Sequence, residues 1–104
     1  MHIDLRMLRA LVVVEASGSI GDAARRLTFS AAAVSGHLRA LERECGVQLV
    51  RRTASGVELT DAGRRAVPLA RLVLVAAGEL EGLGPSGSGG RRGEGPRRPL
   101  PPAR

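Results

Sequence analysis

Three arginines and a run of small side chains carry the chemistry this sequence offers. Ser30, Ala31, Ala32, Ser35, Gly36 and Arg39 fall within ten positions, and Arg51 and Arg52 follow as a pair. A guanidinium is planar and donates two parallel hydrogen bonds, which suits a phosphate or a base edge with two acceptors. A helix that begins at a serine leaves backbone N–H groups free to hold an anion. Nucleophilic chemistry lacks its parts, because no Ser or Cys stands in a cluster with a His and an acid. His2, His37 and Cys45 are scattered and match no metal-ligand spacing. The glycines of 84–95 precede no helix and so form no phosphate loop. We therefore expect no enzyme activity, no metal and no cofactor.

A surface of this kind needs rigid elements beneath it, and helix signals are dense. Asp4 is placed as an N-cap, with Ile3 and Leu8 at the positions of a hydrophobic staple. Leu5, Leu8 and Val12 mark one face of a first helix, which Gly18 stops. Ser19 opens a second, with Asp22 three residues on. Ile20, Ala23, Ala24 and Leu27 give that short helix one apolar stripe. Thr28 and Phe29 form a turn, and Ser30 caps a third helix running from about Ala31 to Cys45. Val34, Leu38, Leu41 and Cys45 share a narrow arc of it, so Cys45 is expected to be buried as a small hydrophobe rather than a redox sensor. Ala32, Ser35, Gly36, Arg39 and Arg43 lie roughly opposite, and His37 lies off that face. Gly46 ends the helix.

Residues 49–59 predict a β-hairpin, with Thr53-Ala54-Ser55-Gly56 as its turn. Thr60 caps a fourth helix reaching about Leu83, and Pro68 inside it should bend it. A short helix, a turn and a longer amphipathic helix form a helix-turn-helix pattern. The expected fold is mainly α: a winged helix-turn-helix of three helices plus a short β-hairpin wing, followed by a long linker helix. The third helix suits a major groove about 12 Å wide. Its outer face and capped start nominate Ser30, Ala31, Ala32, Ser35, Gly36 and Arg39 as DNA-facing, while Arg51 and Arg52 reach the backbone from the wing. The expected partner is double-stranded DNA.

The fourth helix has more apolar surface than one small body can cover. Leu69, Leu72, Val73, Ala76 and Leu80 follow a near-heptad spacing, and Leu74, Val75 and Ala77 are apolar as well. A second copy of the same helix covers the remainder by two-fold symmetry, so a homodimer is expected.

Composition bounds the rest. The chain has 104 residues and a net charge of +6, and Phe29 is its one aromatic residue. The core must be aliphatic. Residues 1–83 hold 11 Arg and 9 acids, whereas 84–104 hold 5 Arg and 1 acid, so the tail supplies most of the excess charge. Six Gly and five Pro within 84–104 predict a disordered tail, with its Pro-rich end a solvated segment rather than a ligand for a proline-binding module. The domains expected are 1–59, the DNA-binding body; 60–83, the linker and dimerisation helix; and 84–104, the tail. One cysteine allows no internal disulfide, and the start of the chain has no signal-peptide pattern, which suits the cytoplasm. The longest apolar run, Ala66 to Ala77, contains Arg71 and is too short to span a membrane.

The sequence also resembles the LysR-type transcriptional regulators. The likeness lies in Asp4-Leu5-Arg6, Gly18-Ser19-Ile20, Ala23-Ala24-Arg25-Arg26-Leu27, and then Ser30, Ala33, Ser35 and Leu38. It continues in Leu41-Glu42, Gly46-Val47, Leu49, Arg52-Thr53 and Gly56-Val57-Glu58-Leu59-Thr60-Asp61-Ala62-Gly63. These pieces fall in the family's order across residues 4–80. The resemblance implies that Ser35 and Arg39 face DNA, that Ser30 starts the recognition helix beside a phosphate, that Arg52 touches the backbone, and that Thr60 caps the linker helix. It also implies dimerisation through that helix. Ala31 stands where the family commonly has Gln, Ala32 where Pro is common, Gly36 where a basic residue is frequent, and Val50 in place of the usual Phe. Each good bidentate base contact contributes about 1–3 kcal/mol of discrimination, so direct base reading is expected to be thin. The family's small-molecule sensing domain has no counterpart here, and no effector is expected for this chain. A rival function is a protein-interaction module that heterodimerises with a full-length regulator and binds DNA poorly.

Overall fold

The computed structural model describes residues 2–85. Along the chain run α1 (Leu5–Ser17), α2 (Ile20–Leu27), α3 (Ala31–Cys45), β1 (Val50–Thr53), β2 (Gly56–Leu59) and α4 (Asp61–Glu81). This is a mainly helical winged helix-turn-helix with a long fourth helix, as expected. The chain divides into two compact units, one ending at Leu74 and a second beginning at Val75.

Capping sets the helix starts. The Asp4 carboxylate accepts the N–H groups of Arg6 and Met7 at 2.9 and 3.2 Å. These bonds, Met7's chiefly, hold the Asp4 carboxyl below the ordinary aspartate range against a smaller opposing effect of burial. The hydroxyls of Ser19 and Ser30 accept from Asp22 and Ala33, both at 3.0 Å. Gly18 and Gly46 close α1 and α3 at φ 81° and 73°, a conformation that a β-carbon disfavours. Thr28 takes the same left-handed form at φ 59° and turns the chain between α2 and α3.

The first unit packs around aliphatic side chains alone. Leu11 and Val14 of α1, Ala23 and Ala24 of α2, and Val34, Leu38 and Leu41 of α3 are buried together. Leu49, Val50, Val67 and Ala70 close the core from the wing and α4. Each such large side chain contributes about 1.5–3 kcal/mol on burial. The arc predicted for α3 is thus the buried one, with one correction. Cys45 is exposed. It is the last residue of α3, and its side borders an open apolar groove shared with Ile3, Leu5 and Leu69. The periodicity points the thiol toward the right side of the helix, but no described residue covers that end.

The wing is a two-stranded antiparallel hairpin with Val50 opposite Leu59, Arg51 opposite Glu58, Arg52 opposite Val57 and Thr53 opposite Gly56. It is fastened at three places. The Val57 N–H donates to the Gly18 carbonyl at 3.2 Å. One Glu42 carboxylate oxygen accepts the N–H groups of Leu49 and Val50 at 2.8 and 3.2 Å. The Thr60 N–H donates to the Leu49 carbonyl at 2.9 Å, and its hydroxyl donates to the Gln48 carbonyl at 2.7 Å.

Thr60 also caps α4 by accepting from the Gly63 N–H at 3.0 Å. Gly63 is buried with its backbone against the Leu49 carbonyl. The helix continues through Pro68, whose ring is solvent-facing, and ends at Glu81, two residues before the predicted Leu83. No described helix is long and apolar enough to cross a membrane. Apart from Gly84 and Pro85, the predicted tail of 84–104 lies outside the described residues.

Candidate nucleic-acid interface

The outward side of α3 carries the predicted residues together. Ala31, Ala32, Gly36 and Arg39 are exposed, and Ser35 is half-buried. Their opposite neighbours Val34, Leu38 and Leu41 are sealed in the core, so this side of the helix has no alternative to facing outward. Gly36 is not demanded by packing, because a β-carbon there would meet nothing within 4 Å. What its hydrogen does is keep the helix backbone open to close approach.

At the start of α3, Ser30 satisfies the Ala33 N–H. The N–H groups of Ala31 and Ala32 have no partner among the described residues. Free donors at the positive end of a 15-residue helix form an anion-attracting end. Arg39 makes no ion pair or hydrogen bond among the described residues, in contrast to Arg6, Arg25, Arg51, Arg64 and Arg71, which each face an acid. Its guanidinium is therefore available to a ligand.

The two wing arginines separate. Side chains alternate across a strand, so consecutive residues take opposite sides. Arg51 pairs with Glu58 across the hairpin at 3.7 Å, both well exposed. Such a pair is worth little in water and is readily exchanged for a phosphate. Arg52 turns toward α3, where its Nη2 donates to the Ser35 hydroxyl at 2.7 Å. A cleft of about 150 Å³ runs between α3 and β1, bordered by Ser35, Arg39, Glu42, Gln48 and Arg52.

Sequence reasoning missed Glu42 as the anchor of the wing and Arg52 as a partner of Ser35. Glu42 lies between the buried and exposed arcs of α3, and the pairing 7 and 8 residues downstream has no periodic signature. The alternation of β1 was the available signal for Arg52, since it separates adjacent arginines. Among the described residues no group of His, Cys, Asp and Glu is arranged to hold a metal ion.

Known proteins match this geometry. The profile of bacterial regulatory helix-turn-helix proteins of the lysR family covers residues 5–64. The HTH-type transcriptional regulator ClcR of Pseudomonas putida is 43% identical over 72 residues, which are 69% of this chain and 24% of ClcR. The RuBisCO operon transcriptional regulator of Allochromatium vinosum is 38% identical over 93 residues, 89% of this chain and 31% of that protein. The chain thus spans about a quarter to a third of the length of these relatives. Among solved structures, the DNA-binding domain of CbnR in complex with DNA superposes with a TM-score of 0.72 at 35% identity. That match covers 75% of this chain and 90% of the CbnR domain. Full-length CbnR with its target DNA gives 0.73 at 35% identity, over 75% of this chain and 27% of CbnR.

Proposed function

The chain belongs to the lysR family of bacterial helix-turn-helix regulators, and from that premise we propose that it binds specific DNA as a homodimer in the cytoplasm, with α3 in the major groove. The observation that carries this reading is the unpartnered Arg39 on the exposed side of α3, one turn beyond Ser35 and about two turns from a helix start whose Ala31 and Ala32 N–H groups are free. The small side chains let the helix approach base edges, and the free N–H groups of Ala31 and Ala32 hold a backbone phosphate. Arg51 adds a second backbone contact from the wing.

Dimerisation rests on α4. Leu69, Leu72 and Leu80 are 62%, 66% and 69% exposed, and Val73 and Ala76 are exposed beside them. At 3.6 residues per turn these five positions fall within an arc of about 100°. Leu69 and Val73 also border the apolar groove of about 250 Å³ with Ile3, Leu8, Leu41 and Cys45. A second α4 laid along this surface covers it, and two-fold symmetry sets two α3 helices on successive major-groove faces.

The rival reading, heterodimerisation with a longer regulator and poor DNA binding, is favoured by one observation. Three positions of the outward side, Ala31, Ala32 and Gly36, have no hydrogen-bonding side chain. Gel-shift titration against duplexes selected from a randomised pool separates the two. Specific binding that weakens steeply with salt and drops about 5- to 100-fold in Arg39→Ala supports the regulator. Binding no better than to random DNA, with a dimer still present in sedimentation, supports the rival.

A further inference from the structure

Resting on that DNA-bound reading, we infer that α3 selects guanine: the base pair under Arg39 in each half-site presents guanine N7 and O6 to the helix. The surface offered to the groove is weighted toward donors. Ala31, Ala32 and Gly36 contribute no hydrogen-bonding side chain. The Ser35 oxygen already accepts from Arg52 at 2.7 Å, which leaves its proton free to donate and one lone pair besides. The Ser30 oxygen is likewise engaged by the Ala33 N–H. Arg39 and Arg52 carry donors and no acceptor.

Two side chains with strong acceptors, Glu42 and Gln48, border the cleft. The Glu42 carboxylate holds the N–H groups of Leu49 and Val50. Gln48 can donate and accept, and it borders the same cleft. Because β1 has Val50 beside Glu42 and Arg52 beside Ser35, Gln48 sits at the C-terminal end of α3. A recognition helix meets base edges with its N-terminal residues, and both Glu42 and Gln48 lie C-terminal to Arg39.

In the major groove guanine alone shows two neighbouring acceptors. Adenine pairs its N7 with an amino donor, cytosine shows an amino donor, and thymine sets O4 beside a methyl group. The Arg39 guanidinium leaves the amino groups of adenine and cytosine without an acceptor and matches guanine at both of its atoms. Arg52 is a positioning residue in this scheme, since it holds the Ser35 hydroxyl beside β1.

The test uses the full 104-residue chain. Duplexes bound from a randomised pool are expected to carry one guanine at equivalent positions of the two half-sites. Replacing that guanine by 7-deazaguanine removes N7 but keeps O6, so one of the two bonds is lost and Kd is expected to weaken about 2- to 13-fold, half the free energy of one bidentate contact. Inosine at the same position keeps N7 and O6, and its Kd is expected to match guanine's. Ser35→Ala is expected to relax selection at the base beside it while Ser35→Thr, which keeps the hydroxyl, retains it, with thermal midpoints held within experimental error of the parent. A selected motif without guanine, or binding indifferent to 7-deazaguanine, overturns the guanine assignment and leaves DNA binding intact. A pool that yields no motif at all overturns this inference together with the function it rests on.

Discussion

Substituting Gly63 by alanine sets two known effects against each other. In an open helix, Gly→Ala is stabilising by about 0.5–1 kcal/mol, because glycine loses more backbone freedom on folding. At position 63 the new β-carbon would lie 2.0 Å from the Leu49 carbonyl oxygen, 3.0 Å from its carbon and 3.2 Å from a Leu59 methyl. The nearest atom belongs to backbone, so no rotamer change relieves the clash. The Leu49 peptide must retreat by about 1 Å, and overpacking of this kind costs about 1–3 kcal/mol. That carbonyl also accepts from Thr60, and the N–H of Leu49 is held by Glu42, so the retreat strains two of the wing's three fastenings. Losing one such bond costs about a further 1 kcal/mol. The clash wins, and Gly63→Ala is expected to lower stability by about 1–3 kcal/mol, a fall in Tm of about 5–20 °C for a domain of this size. Gly36→Ala is the internal control. Its β-carbon meets nothing within 4 Å, so the propensity gain stands alone and Tm should rise by about 3–6 °C. Thermal unfolding followed by circular dichroism, at one protein concentration because self-association makes Tm depend on it, reads both signs. A Gly63→Ala protein as stable as the parent would refute the backbone-to-backbone packing of α4 on Leu49.

Three further outcomes are expected. Glu42→Ala leaves the N–H groups of Leu49 and Val50 without their acceptor and should cost about 1.5–3 kcal/mol; Glu42→Gln keeps a neutral acceptor, so urea titration should place it between the alanine variant and the parent. The lowered carboxyl of Asp4 contributes stability that is present above the ordinary aspartate pKa and is lost as pH falls through the depressed folded value. Asp4→Asn keeps a capping acceptor without the charge, so its stability-versus-pH curve should be flatter than the parent's in that acid window; identical curves would remove Asp4 from the acid transition. Leu72→Glu puts a charge on the exposed apolar face of α4 and touches no core residue, so sedimentation should find a folded monomer with unchanged helix content. A dimer that survives this change has its interface elsewhere.

The signals that the sequence supplied for this protein act over three or four residues. Asp4, Ser19, Ser30 and Thr60 start the helices by accepting from N–H groups two or three positions on, and Gly18 and Gly46 stop them by taking positive φ. Apolar spacing then decided which side of α3 is buried, and with it which side carries Ser35, Gly36 and Arg39. All of this is legible because helix capping and periodicity are local. The exposure of Cys45, the turn of Arg52 onto Ser35, the grip of Glu42 on Leu49 and Val50, and the contact of Gly63 with Leu49 are decided by tertiary structure. Each depends on how closely two elements approach and in what register, and residues separated by 7 to 17 positions meet only after the hairpin has paired and settled against α3.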